Sequence, residues 1–142
     1  MAILPWSNEY SVHSSEIDDQ HRKLFRLVNN LDEAVQRGKG PRVLGPTLDS
    51  LVEYAQEHFA DEEALLERIH YPALEEHRLE HASFSRQLAS LQVRYHTGNA
   101  SLSTQVLEFL KQWLDNHLLQ SDQKYALYIQ DTQQSPEQGD EI

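Results

Sequence analysis

Cysteine is absent from the 142 residues. That excludes disulfide frameworks, thiolate zinc sites, iron–sulfur clusters and cysteine nucleophiles. Basic residues are scarce: 12 Lys and Arg stand against 23 Asp and Glu, a formal charge of −11. Nucleic acid and anionic membrane surfaces both demand a basic face, so neither is expected as a partner. No run approaches the roughly 18 apolar residues of a membrane span. The segment from Met1 to Tyr10 has neither the basic n-region nor the apolar h-region of a secretory signal, and a cytoplasmic protein is expected. Glycine and proline number only 5 each. No stretch alternates with the period of two that a half-buried strand requires.

What is present has helical period. The length suits one domain, and 39% hydrophobic with 25% charged residues is ordinary for a globular chain. Gly38, Gly40 and Pro41 mark one junction, Tyr71-Pro72 a second and Gly98-Asn99 a third. Between them apolar residues recur at three and four positions, as in Ile17, Leu24, Val28, Leu31 and Val35. The pattern predicts helices near 18–37, 42–69, 73–96 and 101–130. Asp18 is expected as the first N-cap, with Pro41 and Pro72 opening the next two helices and Gly45-Pro46 an alternative start for the second. The fold class is therefore all-α, an antiparallel up-down-up-down four-helix bundle. A single domain over 1–130 is expected, with residues 1–16 as an extended arm carrying Trp6 and Tyr10 along the bundle. The polar segment 131–142 is expected to be a flexible tail.

Histidine is the unusual component, at 8 residues. His21, His58, His77, His81 and His117 fall on the apolar stripes of the predicted helices, where leucines would pack at no polar cost. One buried histidine is ordinarily a satisfied core residue. Five spread over all the helices are hard to satisfy by separate hydrogen bonds, and convergence on metal is the simpler account. His58 and Glu62 are four apart, as are His77 and His81, which places each pair on one helix face about 6 Å apart. His117 and Asp122 are five apart, and a straight α-helix would turn Asp122 about 140° off the face of His117. A π-type widening between these two residues is expected. Five imidazoles and two carboxylates suit two metal ions bridged by the carboxylates, with one coordination position left open. Such donors favour iron, manganese or zinc over calcium or magnesium.

The chain resembles the bacterial hemerythrins. The resemblance lies in Ile17-Asp18-Asp19-Gln20-His21, His58-Phe59-Ala60-Asp61-Glu62-Glu63, Tyr71-Pro72, His77-Arg78-Leu79-Glu80-His81, Trp113-Leu114-Asp115-Asn116-His117 and Asp122, and covers about residues 5 to 130. It implies two non-haem irons: one on His77, His81 and His117, the other on His21 and His58, bridged by Glu62, Asp122 and an oxo or hydroxo group. O2 is then expected to bind reversibly at the second iron, for storage, transport or delivery, without enzymatic turnover. Leu24, Phe25, Phe59, Trp113, Leu114 and Leu118 are the expected apolar lining of that position.

Other readings are a sensor of oxygen, nitric oxide or redox state, and a di-iron enzyme acting on peroxide or nitric oxide. A reductase or client protein is a possible partner, and a monomer is favoured. Gln20 and Tyr125 are candidate supports for ligand groups, whereas Glu63, about 100° around the helix from Glu62, is expected to face solvent. His13, His70 and His96 are expected at the surface. His13 stands where relatives usually have glycine, so the arm is expected to turn differently here, and Leu66 stands where they often have methionine.

Overall fold

The structure, a computed structural model, describes residues 6–98 and 102–132. The described residues open with a 3-10 turn at Asn8–Tyr10 and continue as α1 (Ser15–Gln36), α2 (Gly40–Arg68), α3 (Leu74–His96) and a long final rod. That rod is α4 (Leu102–Trp113), a π-helical segment (Leu114–Ser121) and α5 (Asp122–Thr132) without a break. The four rods form the expected bundle. Gln20 of α1 meets Asp61 of α2, and Val35 lies near Gly40, so α1 and α2 run antiparallel. Glu63 and Arg78 pair α2 with α3, while Gly45 and Tyr95 meet at the other end. Arg94 with Gln105 and Glu80 with Ser121 do the same for α3 and the last rod. A methyl on Gly40 would meet Ser103 Oγ at 2.6 Å and Cβ at 2.9 Å, so only glycine permits this approach of α2 and α4.

Helix starts differ from expectation for a local reason. Ser14, not Asp18, caps α1, accepting from the Ile17 N–H at 3.3 Å. Asp18 is buried and ties down the arm instead, accepting from Ser11 Oγ at 2.6 Å and the Val12 N–H at 2.8 Å. Pro41 sits in the first turn of α2, whereas Pro46 lies inside the helix and starts nothing. The arm packs as expected, with Trp6 and Tyr10 on Phe25 at ring separations of 5.5 and 5.6 Å. It is not wholly extended, because Asn8–Tyr10 turns and the helix begins at Ser15. The final helix runs through Thr132, and the expected tail beyond it lies outside the described residues. No helix among the described residues is long and apolar enough to cross a membrane.

The interior has two apolar clusters. The larger gathers residues such as Leu24, Val28, Leu48, Leu51, Phe84, Leu110 and Leu114; the smaller gathers Ile17, Leu65, Leu66, Ile69, Tyr125 and Ile129. Each fully buried aliphatic side chain contributes about 1.5–3 kcal/mol. Along each rod His21, His58, Glu62, His77, His81, His117 and Asp122, all buried, fall where the members of one cluster give way to those of the other, as a polar layer.

His13 turns the arm at φ 65°, the left-handed conformation that glycine adopts freely. The arm therefore makes a glycine-type turn at His13 despite the side chain. His13→Gly is expected to stabilise the protein by about 0.5–1 kcal/mol, the relieved strain being partly offset by unfolded-state entropy. Urea unfolding checks it, and a loss of stability would contradict it.

Candidate metal centre

All seven residues singled out by spacing converge. His21, His58, Glu62, His77, His81, His117 and Asp122 are at most 3% exposed. Two groups of ligand atoms form, His77, His81 and His117 with Glu62, and His21 and His58 with Glu62. The carboxylates divide their oxygens between them. Glu62 Oε1 lies 2.9 Å from Nε2 of both His77 and His81. Its Oε2 lies 3.3 Å from His21 Nε2 and 3.4 Å from His58 Nε2. Asp122 Oδ1 faces His77 at 2.8 Å and His117 at 3.1 Å, and its Oδ2 faces His21 at 3.2 Å. Asp122 reaches this position through the expected widening: its N–H donates to the His117 carbonyl, five residues back.

Outer partners fix the direction of the imidazoles. His81 Nδ1 donates to Glu63 Oε2 at 2.8 Å, and His117 Nδ1 donates to Glu80 Oε1 at 2.6 Å. Carboxylates only accept, so both protons belong on Nδ1. His58 Nδ1 donates to Gln20 Oε1 at 2.7 Å, while the Gln20 amide donates to Asp61 at 2.7 Å. In the neutral form each of these rings aims an Nε2 lone pair inward. His81 Nε2 and His117 Nε2 then face each other at 3.2 Å. Two converging lone pairs repel unless a cation or proton lies between them. His21 Nε2 and both Asp122 oxygens are buried without a hydrogen bond of proper geometry. Donors of this kind, arranged around shared carboxylates, fit metal ions.

Glu63 thus corrects an expectation. It is a partner of His81, held also by Arg78 at 3.4 Å, rather than a solvated acid. Gln20 and Tyr125 both contact ligand groups, Tyr125 donating to Glu62 Oε2 at 2.9 Å. Sequence spacing missed Glu80, which joins His117 to Ser121 Oγ. Its only signal was its place between the two α3 histidines. The six expected lining residues all belong to or pack on the larger apolar cluster. Phe59 stacks on His81 at 3.9 Å and Trp113 on His117 at 4.0 Å, whereas Phe25 makes its ring contacts with the arm. His13 and His70 are exposed, as is His96.

The metal-free electrostatics follow from burial among carboxylates. Burial opposes the charged form of His21 and His77, but Asp122 and Glu62 outweigh it and push each up to about 9. Burial also opposes charge on His117, and Asp122 again prevails, raising it. His58 goes the other way, lowered to about 3 chiefly by burial. Burial disfavours ionised Glu62 and Asp122, yet the surrounding histidines hold both well below the carboxylate range. Burial, then the charges of Glu62 and Asp122, hold the Tyr54 hydroxyl well above its ordinary value.

A four-helix bundle with buried imidazoles grouped around shared carboxylates belongs to the class of di-metal bundle proteins. Residues 12–129 match the hemerythrin HHE cation binding domain. A bacteriohemerythrin from Stenotrophomonas maltophilia is 33% identical over 126 residues, 89% of this chain and 81% of that protein. One from Methylococcus capsulatus is 31% identical over 127 residues, 89% of this chain and 96% of that protein. A solved hemerythrin structure with leucine replaced by tyrosine superposes with a TM-score of 0.74 at 27% identity, covering 89% of this chain and 97% of that one. The chain belongs to the hemerythrin family, and its cluster of histidines and carboxylates supports a non-haem di-iron, O2-binding domain.

Metal requires unprotonated imidazoles, so loading the metal-free protein should release the protons of His21 and His77 below about pH 9. Apparent metal affinity should therefore rise from pH 6.5 to 9. Metal-free stability should change in the opposite sense. The contribution of His21 and His77 is full below 6.5 and lost as pH rises through 9. His58 destabilises below 6.5, where the unfolded chain takes a proton that the fold refuses down to about 3. Maximum metal-free stability is expected near pH 6.5. Proton-release titration and urea unfolding across pH check both statements. Metal uptake without proton release at pH 7 would contradict the first.

Proposed function

We propose that this chain binds O2 reversibly at two irons, for storage, transport or delivery, with no catalytic turnover. The observation that carries the reading is the division of the carboxylate oxygens, each of Glu62 and Asp122 presenting one oxygen to each histidine group. His77, His81 and His117 would hold one iron and His21 and His58 the other, with Glu62, Asp122 and an oxo or hydroxo group as bridges. A pair of irons held by these residues would supply reversible two-electron chemistry toward dioxygen.

The residues around it favour reversibility. Imidazoles outnumber carboxylates in the ligand set, which leaves the oxidised state less stabilised than a carboxylate-rich site would. Leu24, Leu114 and Leu118 are at most 1% exposed and keep water from the position left with fewer ligands. Gln20 holds His58 and Tyr125 holds Glu62, so neither ligand can rotate without breaking a buried hydrogen bond. The family match over residues 12–129 supports one domain spanning 1–130. A cytoplasmic, monomeric protein completes the reading, and sedimentation of the loaded protein checks the monomer.

The test is one optical cycle on the iron-loaded protein. Reduction without air should give a colourless form with two irons per chain. Air should then produce a visible charge-transfer band that vacuum removes. Irreversible conversion to a ferric spectrum would overturn the carrier reading in favour of a redox sensor or enzyme. Leu114→Ala should speed autoxidation with both irons retained, because it opens the apolar wall. An unchanged autoxidation rate would remove Leu114 from the water-excluding role.

A further inference from the structure

Tyr54 stands one helical turn before His58 on α2 and is 2% exposed. Its ring lies nearly parallel to that of His58, at 18° and 5.0 Å between centroids, and edge-on to Phe59 at 6.4 Å. Two rings leaving one helix face a turn apart, and stacked, direct their far ends side by side into the bundle. The hydroxyl therefore lies beside the metal-facing edge of His58. Glu62 comes one turn after His58, so Tyr54 and Glu62 flank that ring along the helix from opposite directions.

Tyr54 belongs to the larger cluster, with Leu24, Phe59, Leu114 and Leu118. Its hydroxyl is buried and has no hydrogen-bond partner. Buried polar groups are rarely left unmade, and an orphaned donor beside a coordination position marks the place of an acceptor that arrives from outside. Tyr125, the other tyrosine at the centre, is by contrast already committed to Glu62.

We propose that Tyr54 selects ligands at the His21–His58 position by donating a hydrogen bond to small ligands that carry an acceptor atom next to the coordinating one. Anionic ligands such as azide gain from this donor, whereas a ligand without an acceptor there gains nothing. The inference rests on the di-iron reading above and adds a polar specificity element to its apolar wall.

The probe is azide, titrated into the oxidised di-iron protein and followed by its visible spectrum. Tyr54→Phe should weaken azide binding about tenfold, the usual scale for a hydrogen bond to a charged group, with two irons per chain retained. Urea unfolding of the metal-free variant should show no loss of stability, because the hydroxyl bonds nothing there. A purely structural tyrosine would give the reverse, with lowered stability and unchanged azide affinity, and that result overturns the proposal. The infrared stretch of azide bound to the unaltered protein supplies a second readout, should the variant fold poorly. A deuterium-sensitive stretch is expected in the unaltered protein, and a stretch that does not move in D2O overturns the proposal. An unaltered protein without paired iron overturns the functional reading itself, and the iron assay before azide addition distinguishes that failure.

Discussion

Everything at the centre of this bundle depends on two carboxylates buried completely among imidazoles. Glu62 and Asp122 are both 0% exposed, a position that an uncompensated charge could not hold. Compensation comes from His21, His77 and His117, on α1, α3 and the last rod, so the charge balance of the core and the packing of the helices are one constraint. Removing one partner leaves buried charge on the others, which typically costs about 3–5 kcal/mol. The polar layer also explains why the hydrophobic interior is divided into two clusters rather than one.

A second constraint lies just outside the ligand atoms. Glu63, Glu80 and Gln20 each accept from the outward nitrogen of a histidine, on three different rings. They decide which nitrogen points inward, which spacing along a helix cannot do. The two positions are supported differently: His81 and His117 rest on carboxylates, His58 on a neutral amide, and the His21 Nδ1 on nothing. A carboxylate partner makes an imidazole the stronger donor. The three-histidine position would thus hold an ion with more basic ligands, and the two-histidine position would bind its own more weakly. That asymmetry is what a site needs if one ion is to stay put while its neighbour accepts and releases a guest.

Much of this was legible from one-dimensional pattern. Residues four apart must share a helix face, so His58 with Glu62 and His77 with His81 announced themselves. The five-residue step from His117 to Asp122 was informative because it violated that rule, and the π-helical segment is the backbone's answer. What could not be read depends on contacts between rods. Glu63 and Glu80 look like solvated acids on their own helices, and they become histidine partners only when α2, α3 and the last rod are packed. Nothing along the chain reveals that the buried Tyr54 hydroxyl lacks an acceptor. Capping was misread for a related reason. Asp18 has the right chemistry for an N-cap, but the arm brings Ser11 and Val12 onto it and leaves the cap to Ser14.

The most direct test of the central claim is a crystal structure of the iron-loaded protein with anomalous data at the iron edge. Two peaks are predicted within the polar layer. One should bond Nε2 of His77, His81 and His117, the other Nε2 of His21 and His58, with Glu62 and Asp122 spanning both. A single peak, or a second iron bound outside this set of residues, would contradict the account.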